Sequence, residues 1–249
     1  MGIPDLTGVT TLLLDADGTL FPSEEPAFVA SAVVTRGFAR QFGLTGDFSP
    51  ENLRRTTTGS NFRTTARTLA ERQGVRLDAD ELEAWVERER IEVTAYLGQV
   101  LRPRPDVMAA LAALRRRYRL AVVSSSALTR LAACFTASGL DPLLPAEHRF
   151  SAEDSLPVPT SKPDPAVYRF ALTGLGVAPH QALALEDSAT GAASAVAAGI
   201  PTAGLVQFVP ADEQTERVGL LRRTGTAWVR RSWEELASDL AGETARVGR

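Results

Sequence analysis

The sequence predicts an α/β fold: a Rossmann-like parallel sheet with an inserted α-helical domain. Three observations carry this expectation. From Asp106 onward, short apolar runs alternate with helical stretches, the pattern of strands in a sheet covered on both faces. Several apolar runs, the first at Val9–Leu14, stop abruptly in polar residues, namely Asp15 and Asp17, Ser124 to Ser126, and Glu186 with Asp187. Between Glu25 and about Gly98, by contrast, there is no strand pattern, and Gly43, Gly59 and Gly74 punctuate helical stretches.

Taken in order, Val9 to Leu14 reads as a buried strand running into the tight loop Asp15-Ala-Asp17-Gly18-Thr19. Helical stretches follow at 27–42, 50–57, 61–73 and 80–97, the last with Asp78 and Asp80 suited to its start. After Pro103 and Pro105 come a helix over 106–118, a strand over 119–124 and a helix over 128–138. A short strand at 148–151, a Pro-rich loop over 156–165 and a helix over 165–175 are next. The pattern closes with a strand at 182–185, a helix at 189–198, strands at 201–206 and 227–229, and a helix at 232–240. The expected division is a core of residues 1–21 and 101–249, with a helical domain at 22–100.

Composition narrows the function classes. The 249 residues carry a net charge of −3 and are 44% hydrophobic, enough for a large core and wrong for a nucleic-acid binder. Cys134 is the single cysteine, which rules out an internal disulfide and a cysteine metal cage. His148 and His180 are the two histidines, too few for zinc sites and read as structural or surface residues. Met1–Thr11 lacks the basic start of a secretory signal, and no stretch approaches the ~18–20 apolar residues of a membrane span. A cytoplasmic protein without membrane or nucleic-acid partners is expected. Every basic residue is arginine except Lys162.

In an open parallel sheet, ligands bind where strands end near a switch in strand order. Carboxylates converging there with one ammonium require a cation, and a hard oxygen-seeking ion such as Mg²⁺ satisfies them. Such an ion, a lysine and serine hydroxyls form a receptor for a tetrahedral phosphoryl group.

These residues carry a resemblance. Leu-Leu-Leu-Asp15-Ala-Asp17-Gly18-Thr19-Leu20 resembles the first motif of the haloacid dehalogenase-like (HAD) superfamily, and Val122-Val-Ser124 the second. Ser161-Lys162-Pro163-Asp164-Pro165 resembles the third, and Leu183-Ala-Leu-Glu186-Asp187-Ser188-Ala-Thr-Gly191 the fourth. Order and spacing match over essentially the whole chain, and the helical insertion marks the small C1-cap branch, similar to β-phosphoglucomutase and phosphoglycolate phosphatase-type members. The first motif continues as Phe21-Pro22-Ser23 where many relatives have an acidic or amide residue before Ser.

The resemblance implies a phosphatase acting on a small phosphorylated metabolite. Asp15 would be the nucleophile that forms an aspartyl-phosphate, and Asp17 the acid and then base. Ser124 and Lys162 would bind phosphoryl oxygens. Asp15, Asp17 through its carbonyl, Asp187 and Glu186 would hold Mg²⁺. Thr19 and Ser125 are assigned to the substrate side, with Gly59 and Arg63 in the insertion. Arg63 offers a fork of donors to an anionic group, and the competing reading is a solvated helix face shared with Arg67. The presence of Asp17 and the absence of lysine from the insertion favour phosphate esters over the dehalogenase and phosphonate branches. The alternatives are a β-phosphoglucomutase-type mutase and a catalytically silent HAD-like binding protein. A monomer or small homo-oligomer is expected.

Overall fold

The computed structural model of the protein describes residues 6–57, 61–226 and 228–247. The chain divides into two compact units, Met1–Pro22 with Arg102–Arg249, and Ser23–Leu101.

The first unit is the expected α/β fold. Its strands are β1 (Thr11–Leu14), β2 (Arg119–Ser124), β3 (Arg149–Ser151), β4 (Ala182–Glu186), β5 (Thr202–Leu205) and β6 (Trp228–Arg230). They form one sheet in the order β3-β2-β1-β4-β5-β6, and every pairing is parallel. Leu12, Leu13 and Leu14 are fully buried, as a central strand covered on both faces requires. Leu14 stands beside Val122 on one side and Leu185 on the other. The chain therefore leaves β1, β2 and β4 at one end of the sheet, where the strand order switches direction.

Among the described residues, the α-helices of this unit are α5 (Pro105–Leu114), α6 (Leu128–Ser138), α7 (Ala166–Leu175), α8 (Ala189–Ala197), α9 (Gln214–Arg223) and α10 (Trp233–Val247). Leu13, Val123 and Ala184 from the strands pack with Tyr168 and Ala171 of α7 and Ala195 of α8 in one buried cluster. Helices α6 and α7 end at Gly139 and Gly176, both in the left-handed conformation that lets a chain leave a helix abruptly.

The second unit holds α1 (Glu24–Phe42), α2 (Pro50–Thr57), α3 (Phe62–Glu71) and α4 (Ala79–Val100). Phe38, Phe62, Leu82 and Trp85 share its own apolar core, with Phe38 and Trp85 edge to face at 5.9 Å. Gly37 lies against that indole, where a Cβ would meet the ring at 3.1 Å. The Asp78 carboxylate accepts from the amides of Asp80 and Glu81, which starts α4 where the sequence places its start.

The boundaries differ from expectation in local ways. Asn61 is a cap rather than part of α3, since its side chain accepts from the Thr64 amide. Helix α5 ends at Leu114, and Arg115 to Arg117 form turns. The last strand lies at Trp228–Arg230, in register with Ala203 to Leu205, while residue 227 falls outside the described residues. Helix α9 has no counterpart in the sequence reading. Leu221 is the only one of its residues that is buried, so its apolar stripe is too thin to show as a period.

Candidate active site

Asp15 follows β1 directly, and its amide donates to the Leu185 carbonyl on β4 at 2.9 Å. The loop beyond it closes tightly: the Gly18 amide donates to the Phe21 carbonyl and the Leu20 amide to the Ala16 carbonyl. Gly18 has φ +81°, and a Cβ there would stand 2.5 Å from Asp187 Oδ2, so both conformation and space demand glycine.

Lys162 is the hub. Its Nζ donates to Asp15 Oδ1 at 2.7 Å, to Glu186 Oε1 at 2.6 Å and to the Val123 carbonyl at 2.7 Å. All three donors of the ammonium are thus used within a buried pocket. Burial alone disfavours its charge, but Asp15 and Glu186 outweigh burial and hold it above its ordinary pKa. Burial raises Asp15, against the pull of Lys162, and pushes Glu186 up to about 7, again opposed by Lys162. Tyr168 donates from its hydroxyl to the same Oε1 of Glu186 at 2.5 Å, and burial followed by the Glu186 charge raises its own pKa.

The serines at the end of β2 and just beyond it divide the remaining contacts. Ser124 Oγ accepts from the Ser126 amide at 3.0 Å, and Ser126 Oγ donates to Asp17 Oδ2 at 2.7 Å. Ser125 Oγ accepts from the Lys162 amide at 3.1 Å, tying this loop to the loop before α7. Arg130 on α6 stands 3.4 Å from Asp17 Oδ1. Thr19 Oγ1 donates to Asp187 Oδ1 at 3.4 Å, and the Thr19 carbonyl accepts from the Trp233 indole at 2.9 Å.

The structure therefore brings Asp15, Asp17, Thr19, Ser124, Ser125, Lys162, Glu186 and Asp187 to one end of the sheet. Arg63 lies in the helical unit, where it forms a bidentate pair with Glu83 at 2.7 and 2.6 Å on an exposed face. Gly59 lies outside the described residues. The sequence gives no sign of Tyr168, of Arg130, or of Arg217, whose NH1 stands 3.2 Å from Asp187 Oδ2. Tyr168 and Arg130 stand in the first turns of α7 and α6, outside any motif, and Arg217 sits on α9, which has no period to read.

Oxygens of Asp15, Glu186 and Asp187 lie within 4.8 Å of one another, all buried. Glu186 Oε2 is buried without a hydrogen-bond partner, and a Cβ on Gly191 would stand 1.9 Å from it. Hard carboxylate donors at this spacing, one of them unsatisfied, fit a divalent cation.

A parallel α/β core with a buried carboxylate–lysine centre at its strand-order switch defines a class of open-sheet ligand sites of acidic chemistry. The comparisons agree with that class. The haloacid dehalogenase-like hydrolase family matches residues 9–199. The chain belongs to that family. Over 127 residues it is 37% identical to the phosphoglycolate phosphatase (plasmid) of Cupriavidus necator, covering 51% of this chain and 52% of that one. Over 59 residues it is 46% identical to the CBBY-like protein of Arabidopsis thaliana, covering 24% of this chain and 18% of that one. The matched stretches thus span about half or less of these relatives' lengths. A solved HAD family hydrolase from Deinococcus radiodurans R1, with bound phosphate and sodium, superposes with a TM-score of 0.68 at 27% identity. That match covers 95% of this chain and 97% of the other. Among the described residues, no helix is long and apolar enough to cross a membrane.

Proposed function

We propose that this protein is a Mg²⁺-dependent phosphatase that hydrolyses a small phosphorylated metabolite through an aspartyl-phosphate. The observation that carries the reading is Lys162, whose buried ammonium bridges Asp15 and Glu186 beside the carboxylate triad. The matched phosphoglycolate phosphatase and the relative with bound phosphate support the same substrate class.

Asp15 attacks phosphorus, the ester P–O bond breaks, and the leaving oxygen takes a proton from Asp17. Water then attacks the phosphorus of the acyl phosphate and gives a proton to Asp17, which releases inorganic phosphate and restores Asp15. Ser126 and Arg130 hold Asp17 for both transfers. Ser124 receives a phosphoryl oxygen, and Lys162 does so by exchanging one of its three hydrogen bonds, with Thr19 and Ser125 shaping the surrounding loops. Asp15, Asp187, Glu186 and the Asp17 carbonyl would hold the Mg²⁺, which when bound neutralises charge on the phosphoryl group. In this reading residues 22–100 are the family's cap domain, and residues 1–21 with 101–249 its core.

Phosphate release from a panel of phosphorylated metabolites, with Mg²⁺ and with EDTA, tests the proposal. Release should require Mg²⁺ and vanish in Asp15→Asn. Equal release by wild type and Asp15→Asn on every compound would refute it, and conversion of a hexose 1-phosphate without net phosphate would identify a mutase instead.

A further inference from the structure

Asp187 has a cationic partner that the motifs do not supply. Arg217 NH1 donates to the Asp187 carbonyl at 3.1 Å and to its Oδ2 at 3.2 Å. Both side chains are largely buried, at 14% and 6% exposed. The family match ends at residue 199, so Arg217 lies beyond it.

Its position is built rather than incidental. Helix α9 lies close to β5 because Gly204 has no side chain: a Cβ there would meet Leu221 Cδ1 at 3.0 Å and Val229 Cγ2 at 2.9 Å. The first turn of α9 is fastened by Gln214, which donates from Nε2 to the Val209 carbonyl at 3.1 Å and accepts from Arg231 at 2.8 Å. One turn on, Arg217 is delivered to the end of β4. Its guanidinium is weakly hydrated and keeps its charge when buried, which suits it to a buried pair with a carboxylate.

We propose that Arg217 sets the affinity of the carboxylate centre for its divalent cation, by holding the Asp187 carboxylate and opposing the incoming charge. The inference rests on the metal-dependent reading above. Two effects act in the same direction. Arg217 occupies Oδ2, one of the two oxygens Asp187 can offer an ion, and its full positive charge opposes that of the ion in a buried, weakly screened setting. Its removal does not leave Asp187 adrift, because Thr19 still donates to Oδ1 and Ser188 still caps α8 through the Gly191 amide. Arg217 is thus a positioning residue that holds Asp187 and lowers the cation affinity of the centre.

Binding of Mg²⁺ by calorimetry, and of Mn²⁺ by electron paramagnetic resonance, tests this on the full chain without reference to turnover. Arg217→Gln should bind either ion roughly tenfold more tightly than wild type, while Arg217→Lys, which keeps the charge, stays near wild type. Arg217→Met supplies a second neutral variant should Gln fold poorly. In EDTA the neutral variants should melt lower than wild type, and Mg²⁺ should raise their melting temperature by more. Unchanged or weaker binding in both neutral variants, with wild-type binding intact and abolished by Asp187→Asn, overturns the role of Arg217 alone. Absence of binding in wild type and every variant, or binding that survives Asp187→Asn, overturns the metal reading and this inference with it.

Discussion

Lys162 Nζ and Asp15 Oδ1 lie 2.7 Å apart in a pocket that is closed to solvent on almost every side. The contact crosses 147 positions of sequence and joins the loop before α7 to the end of β1. In a chain that otherwise uses arginine, the compact ammonium fits where three acceptors converge on one nitrogen. Lys162→Arg is therefore expected to fold, with unchanged far-ultraviolet circular dichroism, and to lose phosphate release by about a hundredfold or more. Lys162→Ala leaves two buried carboxylates unpaired and should destabilise by about 3–5 kcal/mol in urea titration. Near-normal turnover in Lys162→Arg would refute the need for an ammonium.

Glu186 makes stability depend on pH. Burial pushes it up to about 7 from an ordinary 4.5, against the pull of Lys162. The folded state therefore keeps a proton that the unfolded chain has already lost. Its contribution to stability is fully present below about pH 4.5 and is lost as the pH rises through about 7. In EDTA, the melting temperature of wild type should fall relative to Glu186→Gln between about pH 5 and about pH 8. Parallel pH profiles for the two proteins would count against it.

Asp17 depends on Ser126. The Ser126 hydroxyl donates to its Oδ2 at 2.7 Å, so Ser126→Ala should misplace the group that moves both protons. General acid–base catalysis contributes about 10²–10⁴-fold, and losing part of it should lower kcat roughly tenfold while KM changes little. Steady-state kinetics on the best substrate separates these outcomes, and an unchanged kcat would remove Ser126 from the proposal.

Gly191→Ala inverts the usual helix preference. Alanine normally stabilises a helix interior over glycine by about 1 kcal/mol. Here its Cβ would stand 1.9 Å from the Glu186 carboxylate, which is fully buried and held by Lys162 and Tyr168. The substitution should instead destabilise by about 1–3 kcal/mol, read by thermal or urea unfolding. A gain in stability would show that the carboxylate moves freely.

Cys134 should be inert in the folded protein. Burial, with the charge of Asp17 adding to it, pushes the thiol up to about 12, while Arg130 pulls the other way. Alkylation by iodoacetamide at about pH 8 should run about a thousandfold or more slower than in denaturant, followed by mass spectrometry. Rapid labelling of the native protein would contradict that environment.

The fold was legible because its signals are local. A buried parallel strand has to be apolar where both its faces are covered, and Leu12–Leu14 before Asp15 and Leu183–Leu185 before Glu186 are, each run ending at a buried carboxylate. Helix α4 announces its start through Asp78 for the same reason, since a cap serves amides two and three residues away. Helix α9 was invisible because one buried leucine leaves no period to read.

The sequence by itself determined the carboxylates at the strand ends, the single lysine and the alternation that builds the sheet. Only the tertiary structure decided which charge meets which. It set Lys162 on both Asp15 and Glu186, Arg130 beside Asp17, and Arg217 on Asp187. It also turned Arg63 to Glu83 within the helical unit. The physical reason is range: patterning and capping act over a few residues, whereas the pairing of buried charges depends on where packing brings distant helices and strands together.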